Sequence, residues 1–175
     1  MLTVFRCTLV VSVAAILLVA RQFPNSCGAD SLQPALPEKS FTIYPIGHVE
    51  RKGGRTFLVI HERYQPGLVG LENWSHIHVL WWFDRNDQPD RRAILQVHPR
   101  GDKNNPLTGV FACRAPVRPN LIGLTLCRVL KVEAGVIEIG DIDALDGTPI
   151  LDIKPFVPGT DCAQDVRVPA WAGPK

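Results

Sequence analysis

A chain of 175 residues with 46% hydrophobic and 21% charged side chains can bury one ordinary core, which excludes a disordered polymer. Its 19 Lys+Arg stand against 17 Asp+Glu; removing Arg6 and Arg21, the only charges before residue 30, leaves 17 against 17. A protein whose affinity comes mainly from neutralising phosphates carries a basic excess, and this one does not.

Residues 7 to 20, CTLVVSVAAILLVA, form an apolar run broken only by Thr8 and Ser12. Such a run is shorter than the roughly 20 residues needed to span a bilayer and suits the core of a secretory signal. A cut after Ala29 would place Cys27 and Ala29 where a signal peptidase reads. Residues 1–29 are therefore expected to be a signal peptide or membrane anchor that exports or tethers the domain beyond it; a misassigned start would instead leave a cytoplasmic protein. Pro34 and Pro37 mark residues 30–40 as a linker.

From residue 41 the chain reads as short strands: FTIYPIGHVE, TFLVIH, HIHVLWWFD, AILQVHPR, GVFACR, LIGLTLCRVLKVE, GVIEIGDI and TPILDIKPFV. Several alternate with a period of two, and Gly, Pro and Asp/Asn clusters separate them. Only QPGLVGLENW, 65–74, suggests a helical turn. Strands without intervening helices predict an all-β fold: a single-sheeted, mostly antiparallel β-barrel over 41–160, with few short helical turns. Residues 161–175 read as an irregular tail.

Charge is divided along this domain. Arg85 to Arg118 holds seven basic and three acidic residues, whereas Val132 to Asp165 holds eight acids and Lys154 alone among the bases. The halves either attract each other in the fold or serve a ligand carrying both signs. Cys113, Cys127 and Cys162 form no C-x-x-C pair, and single buried thiols are the default. His76 and His78, two apart on a strand, share a face but lack a visible third ligand, so no metal is expected. Trp74, Trp81 and Trp82 either stack a base or fill the barrel and its contacts.

Two stretches carry chemistry. In GVFACRAPVRPNLIGL, 109–124, Pro116 and Pro119 force Ala115 and Arg118 into extended backbone, so Arg114 and Arg118 ride on a stiff turn. Two forks on such a frame suit a carboxylate or phosphate; the alternative is an ion pair to Asp143 or Asp146. In DIDALDGTPILDIKP, 141–155, Asp146-Gly147 signals a turn and Thr148-Pro149 starts a strand. Asp143 and Asp146 either accept hydrogen bonds from a sugar diol, balance the arginines, or serve the backbone alone.

Those stretches, with LENWSHIHVLWWF upstream, closely resemble the TsaA-like family, whose best-known members (TrmO) methylate N6-threonylcarbamoyladenosine of tRNA with S-adenosyl-L-methionine. The resemblance runs from about Ile43 to Pro158. It implies a barrel, usually a homodimer with S-adenosyl-L-methionine near the subunit contact, and no metal. It carries cofactor-binding roles onto Asp84, Arg85, Arg114, Arg118, Leu126, Asp143, Ala144, Leu145 and Asp146; it names no catalytic group. The chain departs from the family pattern at Cys113, Ala115 and Leu121, and the stretch from Glu50 to Arg55 replaces a longer loop after the first strand. Two function classes result: a methyltransferase acting on tRNA, or an exported, non-catalytic small-ligand-binding module that keeps the barrel and an anionic-ligand pocket. A membrane is engaged only through the N-terminal segment.

Overall fold

The computed structural model describes residues 39–173. The apolar run at 7–20, the expected cleavage site at Ala29 and the linker up to residue 38 lie outside them. No helix among the described residues is long and apolar enough to cross a membrane.

Strand β1, Gly47–Lys52, turns at Gly53-Gly54 into β2, Arg55–Ile60. After two short 3₁₀ turns comes β3, His76–Trp82. Two-residue strands β4, Gln96–Val97, and β5, Thr108–Gly109, pair only with each other. Strands β6, Ile122–Glu133, β7, Val136–Ile139, and β8, Pro149–Pro155, complete the set. The order β1-β2-β7-β6-β3-β8 closes on itself, every neighbour antiparallel. This is the barrel that alternation and turn chemistry predict.

The inward rows of the pleat explain the closure. Val49, Leu58, Ile60, Ile77, Val79, Trp81, Ile137, Ile139 and Ile150 meet inside with Cys127, Ile142 and Ala144. Burying each large aliphatic side chain stabilises the fold by about 1.5–3 kcal/mol. A closed ladder also satisfies backbone groups that an open sheet leaves at its edges.

Two expected strands are not barrel strands. AILQVHPR pairs only at Gln96 and Val97, and GVFACR only at Thr108 and Gly109 before a 3₁₀ turn at Val110–Ala112. Pro99 and Pro106 donate nothing to a ladder, and Arg100 adopts φ +61°, which ends extended pairing. The helical turn expected at 65–74 appears as 3₁₀ turns at Glu62–Leu68 and Leu71–Asn73; Pro66 inside the first and left-handed Gly70 before the second prevent a continuous α-helix. Beyond β8 the tail makes single turns at Pro158–Asp161 and Ala170–Ala172.

Candidate functional site

The arginine-bearing loop leaves the 3₁₀ turn at Val110–Ala112 and re-enters the barrel at Leu121, which is fully buried. Three bonds hold it. The Arg118 Nη2 donates to Val110 O at 3.0 Å, Arg92 Nη1 donates to Pro119 O at 3.0 Å, and Phe83 N–H donates to Leu121 O at 2.8 Å. The loop is thereby fastened at its start, its second proline and its exit, as the stiff turn in the sequence requires.

Across from it, Ile142 and Ala144 point into the core and leave Asp143 between them at the surface. A cleft of about 260 Å³ opens there, walled by Arg114, Arg118, Asp143, Cys113 and the apolar Trp81, Phe83, Phe111, Ile122 and Leu124, with Gly123 at its base. Gly123 is required at that position: a Cβ would lie 2.4 Å from the Trp81 ring. Neither Arg114 nor Arg118 pairs with a carboxylate among the described residues, so the ion pair with Asp143 or Asp146 that the sequence left open is not made. Two unneutralised guanidiniums and one carboxylate thus share a small, partly apolar cleft.

Asp143 is itself oriented. The Thr125 hydroxyl donates to Asp143 Oδ1, and the Trp81 indole N–H donates to Thr125 Oγ1 at 3.1 Å. Trp81 is 5% exposed, and its ring meets Phe83 edge-on at 4.4 Å between centroids. The carboxylate's charge is felt inside the barrel. Burial first, then the charges of Asp143 and Asp141, push the Cys127 thiol up to about 12.

The other residues singled out by the family pattern lie outside this lining. Asp146 turns its carboxylate to the backbone of β1, accepting from Arg51 N–H at 2.8 Å, while Gly147, at φ +79°, donates to Val49 O at 2.8 Å. Only glycine adopts that φ without strain, so the Asp146-Gly147 turn signal is structural here. Ala144 is core; its carbonyl accepts from Arg51 Nη2 at 3.0 Å. Leu145 projects from the turn, about half exposed. Asp84 and Arg85 sit exposed on a 3₁₀ turn, Asp84–Asn86, and Leu126 is on the outer face of β6. Sequence reading missed Thr125, Phe83, Phe111 and Leu124. A hydroxyl on the inward row Gly123-Thr125-Cys127 is the signal that marks Thr125, because an inward polar group needs a partner.

The remaining candidates have separate surroundings. Trp82 donates its indole N–H to Asp87 Oδ2 at 3.0 Å, and Arg92 donates to the same carboxylate at 2.8 Å; these bonds, that of Arg92 first, hold the Asp87 carboxyl below its usual range. Trp74 lines a separate cleft. His76 bonds to Ser75 Oγ, and His78 Nε2 lies 3.7 Å from Asp161; the described residues hold no cluster of three metal-ligating groups. Cys113, Cys127 and Cys162 are free thiols.

The family model described as the tRNA-methyltransferase O N-terminal domain matches residues 39–162. A probable S-adenosyl-L-methionine-binding protein of Methanocaldococcus jannaschii is 48% identical over 122 residues, 70% of this chain and 97% of that one. The human tRNA (adenine(37)-N6)-methyltransferase is 36% identical, covering 83% of this chain but 37% of its own length. Among solved structures, TrmO from Pseudomonas aeruginosa superposes with a TM-score of 0.61 at 30% identity, over 78% of this chain and 63% of the other. The chain therefore spans nearly all of the archaeal relative but less than two thirds of the Pseudomonas protein. By the extent of the matched model and by the barrel it shares with these proteins, the chain belongs to the tRNA-methyltransferase O N-terminal domain family.

Proposed function

We propose that this domain binds S-adenosyl-L-methionine in the cleft between the arginine loop and Asp143 and transfers its methyl group to an adenine-derived base of tRNA. The observation that carries this reading is the pairing, in one cleft, of two guanidiniums free of carboxylate partners with an oriented carboxylate. The names of the archaeal and mammalian relatives support the cofactor and the acceptor.

The donor set fits the cofactor's chemistry. Arg114 and Arg118 would hold the carboxylate of its methionine end through charge-assisted bonds. Asp143 would accept from its hydroxyl or ammonium groups, and Phe83, Phe111 and Leu124 would face its apolar surface. When bound, the cofactor supplies an electrophilic methyl group. The protein's part is to fix the approach of the acceptor, exclude water and pre-orient the charges, which are the main levers where no covalent intermediate forms.

A cleft of about 260 Å³ falls below the roughly 300–1,000 Å³ of small-molecule sites, so it encloses one end of the cofactor. The rest of the wall is supplied, in this reading, by a second copy docking on the outer face of β6. Leu124, Leu126 and Leu130 there are 44%, 46% and 54% exposed, an apolar row that a partner would cover. Asp84, Arg85 and Leu145 would then complete the site from loops near that contact. Export or anchoring through the apolar run at 7–20 is a separate proposal that competes with this one, because neither S-adenosyl-L-methionine nor tRNA is expected outside the cytoplasm; fractionating cells that make the tagged chain tests it, and an uncleaved, wholly soluble product would overturn it.

Isothermal calorimetry of the full-length chain with S-adenosyl-L-methionine tests the central reading. Binding that Arg118→Ala weakens is the expected result; no heat with the unmodified chain would remove the cofactor from the proposal.

A further inference from the structure

We infer that Trp81 and Thr125 are positioning residues that form a one-way hydrogen-bond relay holding the Asp143 carboxylate toward the ligand cleft. This rests on the proposed cofactor only for the identity of the ligand; the relay belongs to the free protein.

The direction of the relay is set by the donor inventory. An indole nitrogen only donates, so Thr125 Oγ1 must be the acceptor in its 3.1 Å bond with Trp81 Nε1. The hydroxyl has one proton, which goes to Asp143 Oδ1. Neither bond can be reversed while the carboxylate is ionised. One oxygen of Asp143 is thereby occupied, and the other stays available to a donor on the ligand.

The far end of the relay is packed into the core. Trp81 is almost fully buried, packs edge-on against Phe83, and lies so close to Gly123 that no side chain fits between them. It pairs with Gly123 across β3 and β6, and Thr125 comes two residues on, on the same inward row. The barrel core thus sets the direction of a surface carboxylate through a single hydroxyl. Hydrogen bonds in series polarise one another, so a change at Asp143 reaches the indole two bonds away.

Two measurements on the full chain test the relay. In the free protein, Asp143→Ala is expected to shift the Trp81 indole N–H resonance and leave that of Trp82 in place; in a Thr125→Val background Asp143→Ala no longer shifts it. With S-adenosyl-L-methionine as probe, Thr125→Val lowers affinity about tenfold, Thr125→Ser restores it, and Trp81→Phe lowers it about threefold. Combining Thr125→Val with Asp143→Ala costs no more than Asp143→Ala alone. An indole resonance indifferent to Asp143, or losses that multiply in the double variant, would overturn the relay. If Thr125→Val does not fold, Thr125→Ala, which also removes the hydroxyl, takes its place in both measurements. If the unmodified chain binds no cofactor, that reading falls, and the resonance measurement alone decides the relay.

Discussion

The guanidinium of Arg51, on β1, donates to the carbonyl oxygens of both Ile142 and Ala144, the residues that flank Asp143. The stretch from Glu50 to Arg55 therefore clamps the aspartate segment from behind. Arg51→Ala is expected to lower stability by about 1–2 kcal/mol, because two buried-side carbonyls lose a charged donor on a partly exposed side chain. Arg51→Lys recovers only part of this, since one ammonium cannot reproduce the fork. Thermal unfolding of the three proteins checks both statements, and equal melting points would refute them.

The two cleft arginines separate by what else they hold. Arg118 donates to Val110 O and so ties its own loop, whereas no hydrogen bond from the Arg114 side chain to another described residue accompanies it. Arg118→Ala is expected to weaken cofactor binding by about 1.5–3 kcal/mol and to lower the melting point as well. Arg114→Ala weakens binding without the thermal effect. Calorimetry and melting curves recorded side by side distinguish the pair.

Gly123, in the lining of the cleft, leaves no room for a side chain beside Trp81. Gly123→Ala places a methyl group 2.4 Å from the Trp81 ring and forces the indole from its slot. A loss of about 1–3 kcal/mol is expected, the usual cost of overpacking, with a shift in tryptophan fluorescence reporting the displaced ring. An unchanged emission spectrum would count against the packing described.

Cys127 gives a pH signature. Its folded thiol is pushed up to about 12 from an ordinary 9.0, by burial and then by Asp143 and Asp141. Above 9.0 the unfolded chain releases this proton while the native chain keeps it, so the contribution is intact below 9.0 and declines as pH rises toward about 12. Urea unfolding between pH 8 and pH 11 is expected to show this decline, and a shallower one in Cys127→Ala. At pH 8 a thiol reagent labels exposed Cys162 before Cys127.

The barrel was legible in the chain because its strands are simple: Ile77, Val79 and Trp81 alternate with polar or outer residues, as do Ile137 and Ile139. The stretch from Ala93 to Arg114 misled because its apolar residues imitate strands, while its pairing is stopped by Pro99, Arg100 and Pro106. The stiff arginine turn was readable from two prolines. The surroundings of Asp146 were not, since a turn aspartate that serves a backbone N–H and one that faces a ligand look alike in sequence; the 95-residue separation between Arg51 and Asp146 hides the contact. Thr125 escaped for a related reason: its partners, Trp81 and Asp143, lie 44 and 18 residues away.

Six strands that close on one another leave no unpaired edge. The groups that face the cleft from 110–120 and from Asp143 are carried outside that ring. Substitution at Arg114, which ties no other part of the loop, can retune which small molecule is accepted at little risk to the cylinder beneath, a division of labour that lets chemistry drift while architecture stays put.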